Sequence, residues 1–265
     1  LEYFEMFARL VRQYNARGLP VAFSIQSNGY DLSDAWIRFL KEQDFLVGIS
    51  LDGSRKTHDL LRVDANGEGT FDRIHSTLER LRLAGVRYNI LCVVNEHVAR
   101  DPKGVFAALS QHRYLQFIPC LDPLDGSSQD YSLSEERYLT FLKETFDLYY
   151  RSFLDGVPVS IRNFDNYLDI LLGMPPENCA MGGRCGQYFV IEADGSVYPC
   201  DFYVLDEFRM GNIVDLPLNR IAKTEIGTRF TEASLVIPER CRQCKWYGLC
   251  RNGCKRERLA PTQIN

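Results

Sequence analysis

Residues 241–254 read CRQCKWYGLCRNGC, four cysteines in the pattern C-x2-C-x5-C-x3-C. Upstream, CAMGGRC (179–185) holds a C-x5-C pair, and VYPCDF (197–202) adds Cys200. Seven of the nine cysteines therefore fall between Cys179 and Cys254. Close spacing lets a loop turn back and present several thiolates to one metal centre. Disulfides suit small secreted chains, but 265 residues can build a core without staples. The first residues, LEYFEMFARLVRQY, also lack the basic-apolar-small pattern of an export signal. Zinc commonly takes two C-x2-C pairs or a cysteine–histidine mixture, yet His58, His75, His97 and His112 all lie outside the cysteine-rich region. All-thiolate ligation also suits iron–sulfur clusters, which usually take four cysteines each. Seven is one short of two such clusters, so either one keeps an open site or an eighth ligand lies beyond Asn265. Spacing alone leaves zinc and iron–sulfur level.

The chain ahead of the cysteines alternates helical and strand patterns. Apolar residues at helical spacing predict a helix over 1–16, with Phe4, Phe7, Leu10 and Val11 on its packed face. LPVAFSIQS (19–27) reads as a buried strand, and Asp31 or Ser33 can cap a helix over 32–44 that packs through Trp36, Phe39 and Leu40. FLVGISL (45–51), YNILCVV (88–94) and YLQFIPC (114–120) are three more strands, with helices near 70–85 and 102–111 between them. Cys92 and Cys120 fall in these apolar runs and read as core. Such alternation argues for parallel βα units, in which chemistry gathers at the C-terminal strand ends. Those ends carry Gln26, Ser27, Asn28, Ser50, Asp52, Asn95, Leu121 and Asp122, each by itself adequately explained as turn chemistry. Helices are predicted over 133–155 and about 163–172, with an extended segment between them. The domain boundary falls near 172, where glycine, methionine and two prolines interrupt the pattern. Beyond it, QYFVIEADGSVYPCDFYV (187–204) alternates as a hairpin around Asp194-Gly195, and short helices follow over about 216–223 and 226–234.

The composition excludes several classes. A 45% hydrophobic, 12% aromatic chain is globular rather than disordered, and its net charge of −4 does not suit a dedicated nucleic-acid binder. No apolar run approaches the roughly 18 residues that cross a bilayer. A cytoplasmic protein is expected.

CAMGGRC, DGSVYPCDFYV, GNI and CRQCKWYGLCRNGC together resemble the twin-cluster (SPASM) extension of radical S-adenosylmethionine enzymes. The run DGSVYPCDFYVLDEFRMGNI, with LQFIPCLDPLDG (115–126), ISLDG (49–53) and THDLLR (57–62), resembles more narrowly the anaerobic sulfatase-maturating enzymes. The resemblance implies a partial (β/α)6 barrel over 1–172, of which the four strands would be the third to sixth, and a SPASM domain over 173–265. That family carries a C-x3-C-x2-C loop for its radical-generating cluster and a G-G-E-P motif. Neither occurs in this sequence, so the chain is expected to be a piece cut at both ends and, alone, inactive. The seven cysteines then count as eight minus one.

Residue by residue, the resemblance implies that Cys179, Cys185, Cys200 and Cys254 hold one auxiliary 4Fe-4S cluster. Cys241, Cys244 and Cys250 would hold a second with a further cysteine, and a third cluster would belong to the absent motif. Ser50, Arg62 and Leu121 would bind S-adenosyl-L-methionine, a role that the forked guanidinium of Arg62 suits. Asp201 would be the proton acceptor, although without the resemblance it is a capping or ion-pairing aspartate. The implied reaction oxidises a cysteine or serine of a sulfatase polypeptide to Cα-formylglycine, with electrons supplied by a flavodoxin or ferredoxin to a monomeric enzyme. Two competing readings are a radical maturase forming thioether or carbon–carbon crosslinks in peptides, and a zinc-stabilised binding module without redox chemistry.

Overall fold

The computed structural model describes residues 1–123 and 127–258, so the end of the LQFIPCLDPLDG segment lies outside the described residues. Five strands, β1 (Ser24–Ser27), β2 (Leu46–Ser50), β3 (Arg87–Val94), β4 (Tyr114–Pro119) and β5 (Ser160–Ile161), form one sheet in that order. All four pairings are parallel. Strand residues two apart share a face, and Val47, Ile49 and Leu51 with Ile90, Cys92 and Val94 are all at most 1% exposed. Against them, the helix Phe71–Leu83 sets Ile74, Leu78 and Leu81 in one stripe, also at most 1% exposed. Phe117 of β4 meets Phe141 of the helix Glu135–Leu154 edge-on, ring centroids 5.0 Å apart. Truncating Phe141 to alanine costs about 3–5 kcal/mol by the usual scale for buried aromatics.

Several local expectations hold. Ser33 caps the helix Asp34–Glu42 by accepting from the Trp36 amide, and the helices Pro102–Leu109, Glu135–Leu154 and Arg162–Leu171 stand where predicted. Three expectations need correction. Of 19–27 only the last four residues form a strand, and it alternates between exposed and half-buried because β1 is the sheet's edge. The first helix, Glu2–Tyr14, buries only Ala8, while Phe7 is 45% exposed and Phe4 packs edge-on against Trp36. The sheet also has one strand more than the four read, because two residues, Ser160 and Ile161, suffice to pair with β4.

The chain divides into two compact units, Leu1–Phe164 and Asp165–Asn265. The sequence expectation set the boundary at 172, after the helix Arg162–Leu171 rather than within it. Phe164 belongs to the first core, its ring 5.3 Å from those of both Phe146 and Tyr149. Asn166 belongs to the second unit, where its side-chain oxygen accepts from the Asn178 amide at 3.0 Å. That unit contains a small antiparallel sheet, β6 (Val190–Ile191), β7 (Ser196–Tyr198) and β8 (Gly211–Asn212), in that order. The Asp194-Gly195 turn joins the first two as expected. Gly195 sits at φ +83°, and a Cβ there would come within 2.8 Å of the Asn212 side chain. The third strand has no strand-like run of its own and is only two residues long.

Candidate cluster ligands, proton acceptor and cofactor residues

The first cysteine loop is tied down at both ends. Asn178 accepts from the Ala180 amide to start the 3-10 turn Cys179–Met181, and the Cys185 amide donates to Ser234 Oγ at 3.0 Å. Ser234 in turn donates to the Thr231 carbonyl, so the loop is pinned to the helix Glu225–Ser234. Between these ties Gly183 lies at φ +72°, and a Cβ there would approach Arg251 Cβ to 2.9 Å. This loop thus packs against the Arg251-Asn252-Gly253 turn that precedes Cys254. All three residues of that turn are left-handed, at φ 50°, 72° and 57°. A non-glycine pair there is costly and persists only because the surroundings hold it. Asn252 is 2% exposed, and its amide nitrogen donates to the Val236 carbonyl.

These ties bring Cys179, Cys185, Cys200 and Cys254 around one cavity. Among the described residues, no three histidine, cysteine, aspartate or glutamate side chains gather tightly enough to hold a single metal ion. A zinc site would draw its sulfurs to about 2.3 Å from one point. Four thiols spread around a hollow suit a polynuclear group instead. Burial pushes the Cys200 and Cys254 thiols up to about 11. By their placement around one hollow, the four residues fit an iron–sulfur cluster. Cys241, Cys244 and Cys250 stand apart from this cavity. Cys241 is buried in the helix Glu239–Arg242, the Cys244 amide donates to its carbonyl, and Cys250 ends the helix Tyr247–Cys250. Cys92 is fully buried in β3, in keeping with a core role. Cys120 is only half-buried and lies just past β4, which corrects its reading as a buried strand residue.

Asp201 opens the 3-10 turn Asp201–Tyr203, directly after Cys200, with its side chain exposed. Tyr188, which lines the four-cysteine cavity, donates its hydroxyl to Asp201 Oδ1 at 2.6 Å and lies 3.4 Å from Cys200 Sγ. Burial first, then the Asp201 and Cys200 hydrogen bonds, hold the Tyr188 phenol far above its usual value, so it stays a donor. Lys255 lines the cavity too; burial pushes its ammonium below the usual lysine range, while Cys185 and Cys200 pull the other way. The sequence reading did not find Tyr188 or Lys255, because nothing in QYFV or CKRE separates them from ordinary surface residues.

In the sheet unit, Ser50 ends β2, and Leu121 follows β4 half-buried, so the two flank β3 at the C-terminal ends of the parallel strands. Arg62 lines a separate cavity with Asn28, Tyr30, Asp64 and Thr70, which neither Ser50 nor Leu121 reaches. The guanidinium of Arg62 is fixed from behind. Its Nε donates to Asp52 Oδ2, and the other Asp52 oxygen accepts from the Val93 amide at 2.8 Å. The Asp52 amide donates to His58 Nδ1, His58 Nε2 meets Thr70 Oγ1 at 3.1 Å, and Thr70 donates to the Arg62 carbonyl. The ring closes on itself. With Nδ1 accepting, His58 is neutral, which accords with its burial and lowered pKa. Only Asp52 of this ring was singled out as a strand-end residue; the roles of His58 and Thr70 depend on contacts that spacing does not reveal. The arrangement leaves the two terminal nitrogens of Arg62 for an anionic or hydroxyl-bearing ligand.

An iron–sulfur cluster-binding domain family, SPASM, matches residues 179–245. A cysteine-type anaerobic sulfatase-maturating enzyme from Clostridium novyi is 45% identical over 262 residues, which cover 97% of this chain and 70% of that protein. The chain belongs to the anaerobic sulfatase-maturating enzymes. The serine-type enzyme of Bacteroides thetaiotaomicron is 30% identical over 282 residues, covering 99% of this chain and 67% of the relative. The solved structure of native anSMEcpe with bound AdoMet and Cp18Cys peptide superposes with a TM-score of 0.96 at 40% identity, over all of this chain and 75% of the other. Membership of this family sets aside both the crosslinking peptide maturase and the zinc-stabilised module.

Proposed function

We propose that this enzyme converts a cysteine of a sulfatase polypeptide to Cα-formylglycine. Identity of 45% and 42% to cysteine-type enzymes, against 30% and 26% to serine-type ones, favours cysteine as the target. The observation that carries the chemistry is the exposed Asp201 carboxylate, hydrogen-bonded to Cys200 and Tyr188, both of which line the four-thiol cavity. When bound, S-adenosylmethionine supplies a hydrogen-abstracting radical, and the clusters supply one-electron acceptors.

This chain's residues would do the rest. Arg62, backed by Asp52, would hold one part of the cofactor from its own cavity, and Ser50 and Leu121 would meet another part at the ends of β2 and β4. Cys179, Cys185, Cys200 and Cys254 hold one cluster, and Cys241, Cys244 and Cys250 contribute to another. Asp201 takes the proton that the substrate thiol must lose, with Tyr188 fixing the direction of its carboxylate. Loss of one hydrogen atom, one proton and one electron leaves a C=S bond. Water then replaces the sulfur, giving the aldehyde and hydrogen sulfide. In this reading the enzyme is a cytoplasmic monomer fed electrons by a flavodoxin or ferredoxin. Among the described residues no helix is long and apolar enough to cross a membrane.

The test gives the full-length enzyme two sulfatase-derived peptides, differing only in cysteine or serine at the target, and compares them by mass spectrometry after anaerobic reaction. The cysteine peptide is expected to convert faster. Conversion of the serine peptide alone would overturn the substrate assignment.

A further inference from the structure

Lys255 follows Cys254 in sequence and lines the same cavity as the four cysteines. Its ammonium stands over three aromatic rings, 4.0 Å from the centroid of Phe230, 5.1 Å from Tyr203 and 5.8 Å from Phe208. The rings brace one another edge-on, with centroids 5.0 Å apart for Tyr203 and Phe208, 5.1 Å for Tyr203 and Phe230, and 5.8 Å for Phe208 and Phe230. Tyr203 and Phe230 are buried. A free lysine sweeps many rotamers in water, whereas this one is confined by three ring faces that each attract a cation. Such a cage could receive a cationic ligand, but here the chain's own ammonium already fills it. Its effect is to fix a charge in place.

We propose that Lys255 sets the reduction potential of the cluster held by Cys179, Cys185, Cys200 and Cys254. The proposal rests on the reading that these four cysteines hold an iron–sulfur cluster. Cluster potentials respond to net charge, hydrogen bonds to sulfur and solvent exposure. A fixed cation beside four thiolates stabilises the reduced, more negative member of the couple and so raises the potential. The Arg256 amide, donating to Cys254 Sγ at 3.4 Å, works in the same direction. A higher potential makes that group a better acceptor for the single electron which the substrate carbon must lose as its proton goes to Asp201. In this role Lys255 acts through its charge, as a positioning residue rather than a catalytic one.

A purely structural lysine would serve only through its hydrocarbon stem packed among the rings. Lys255→Met keeps that stem and its aromatic contacts while removing the charge. The experiment is a dithionite titration, followed by electron paramagnetic resonance, of the anaerobically reconstituted enzyme and its variants. K255M is expected to bind the same iron and sulfide as the parent and to shift one auxiliary cluster's midpoint to a more negative potential. Lys255→Arg, which keeps a cation over the rings, restores most of the shift. Phe230→Leu opens one wall of the cage without removing the lysine and gives a smaller shift of the same sign. Should K255M fail to hold its cluster, F230L and K255R decide the matter. Midpoints equal to the parent's in every variant that holds its cluster would overturn the proposal. A parent enzyme that takes up no iron and sulfide would overturn the underlying ligand reading instead.

Discussion

In the unit Leu1–Phe164, side chains from β2, β3 and β4 and the flanking helices lock into one continuous apolar core. In the unit Asp165–Asn265, the separate hydrophobic cluster is Val197, Met210 and Ile221, with Ile226 packed on it. The first unit holds its functional residues by rigid strands and a closed hydrogen-bond ring. The second holds them by strands of two or three residues, short helices and a run of left-handed residues before Cys254. A small core with strained turns gives the thiols their geometry but little stability of its own, so bound metal must contribute. The difference teaches that the two units should fail differently. Damage to the sheet unit should appear as loss of stability or cofactor affinity, and damage to the cysteine-rich unit as loss of iron or of turnover.

The largest expected effect is on chemistry. Asp201→Asn should lower turnover of the cysteine peptide by about 10²- to 10⁴-fold, the usual range for a positioned acid–base group, with iron content unchanged. Normal turnover, measured by mass spectrometry of the product, would remove Asp201 from the role. Next comes the ion pair of the other unit, in which Asp52 is buried and Arg62 half-buried. Asp52→Asn turns an amide toward Arg62 Nε and should cost about 3 kcal/mol in stability, seen as a lowered thermal midpoint. It should also weaken S-adenosylmethionine binding, measured by calorimetry, while iron uptake by the auxiliary sites persists. Cys92→Ala sharpens the contrast among cysteines. It should cost about 1 kcal/mol through lost packing and leave iron unchanged, whereas a fall in iron would make Cys92 a ligand.

The smallest effect concerns pH. Burial, helped by nearby His75, pushes His112 down to about 4, and its Nε2 is buried without a hydrogen-bond partner. The unfolded chain binds a proton near pH 6.5 that the folded chain refuses until about pH 4. The neutral ring's contribution is therefore complete above about 6.5 and is lost as pH falls through that window. Replacing His112 by glutamine should flatten the decline in thermal midpoint across it. An unchanged acid limb would assign the decline to other groups.

Much of the first unit was legible because parallel strands and amphipathic helices write their burial into apolar periodicity. What escaped there depends on neighbours rather than on the segment itself. LPVAF is apolar yet lies at an edge, and the two-residue β5 forms only because β4 offers it a partner. The His58–Thr70 link joins residues whose spacing carries no signal. In the second unit the cysteine spacing announced a metal region but did not say which thiols belong together. Grouping Cys254 with Cys179, Cys185 and Cys200, rather than with its own sequence neighbours, came from the family resemblance. The four also line one cavity, and Gly183 packs its loop onto the turn before Cys254.

That grouping is the claim on which most else depends, and metal analysis tests it most directly. Iron and acid-labile sulfide per chain would be measured after anaerobic reconstitution of the enzyme, of Cys200→Ala, Cys244→Ala and Cys254→Ala, and of the C200A/C254A and C244A/C254A double variants. Each single substitution should remove about four irons and four sulfides; C200A/C254A should lose no more than that, and C244A/C254A about eight of each. If C200A kept its full iron and sulfide, or if the parent took up zinc without sulfide, the assignment of the four thiols to one iron–sulfur cluster would be contradicted.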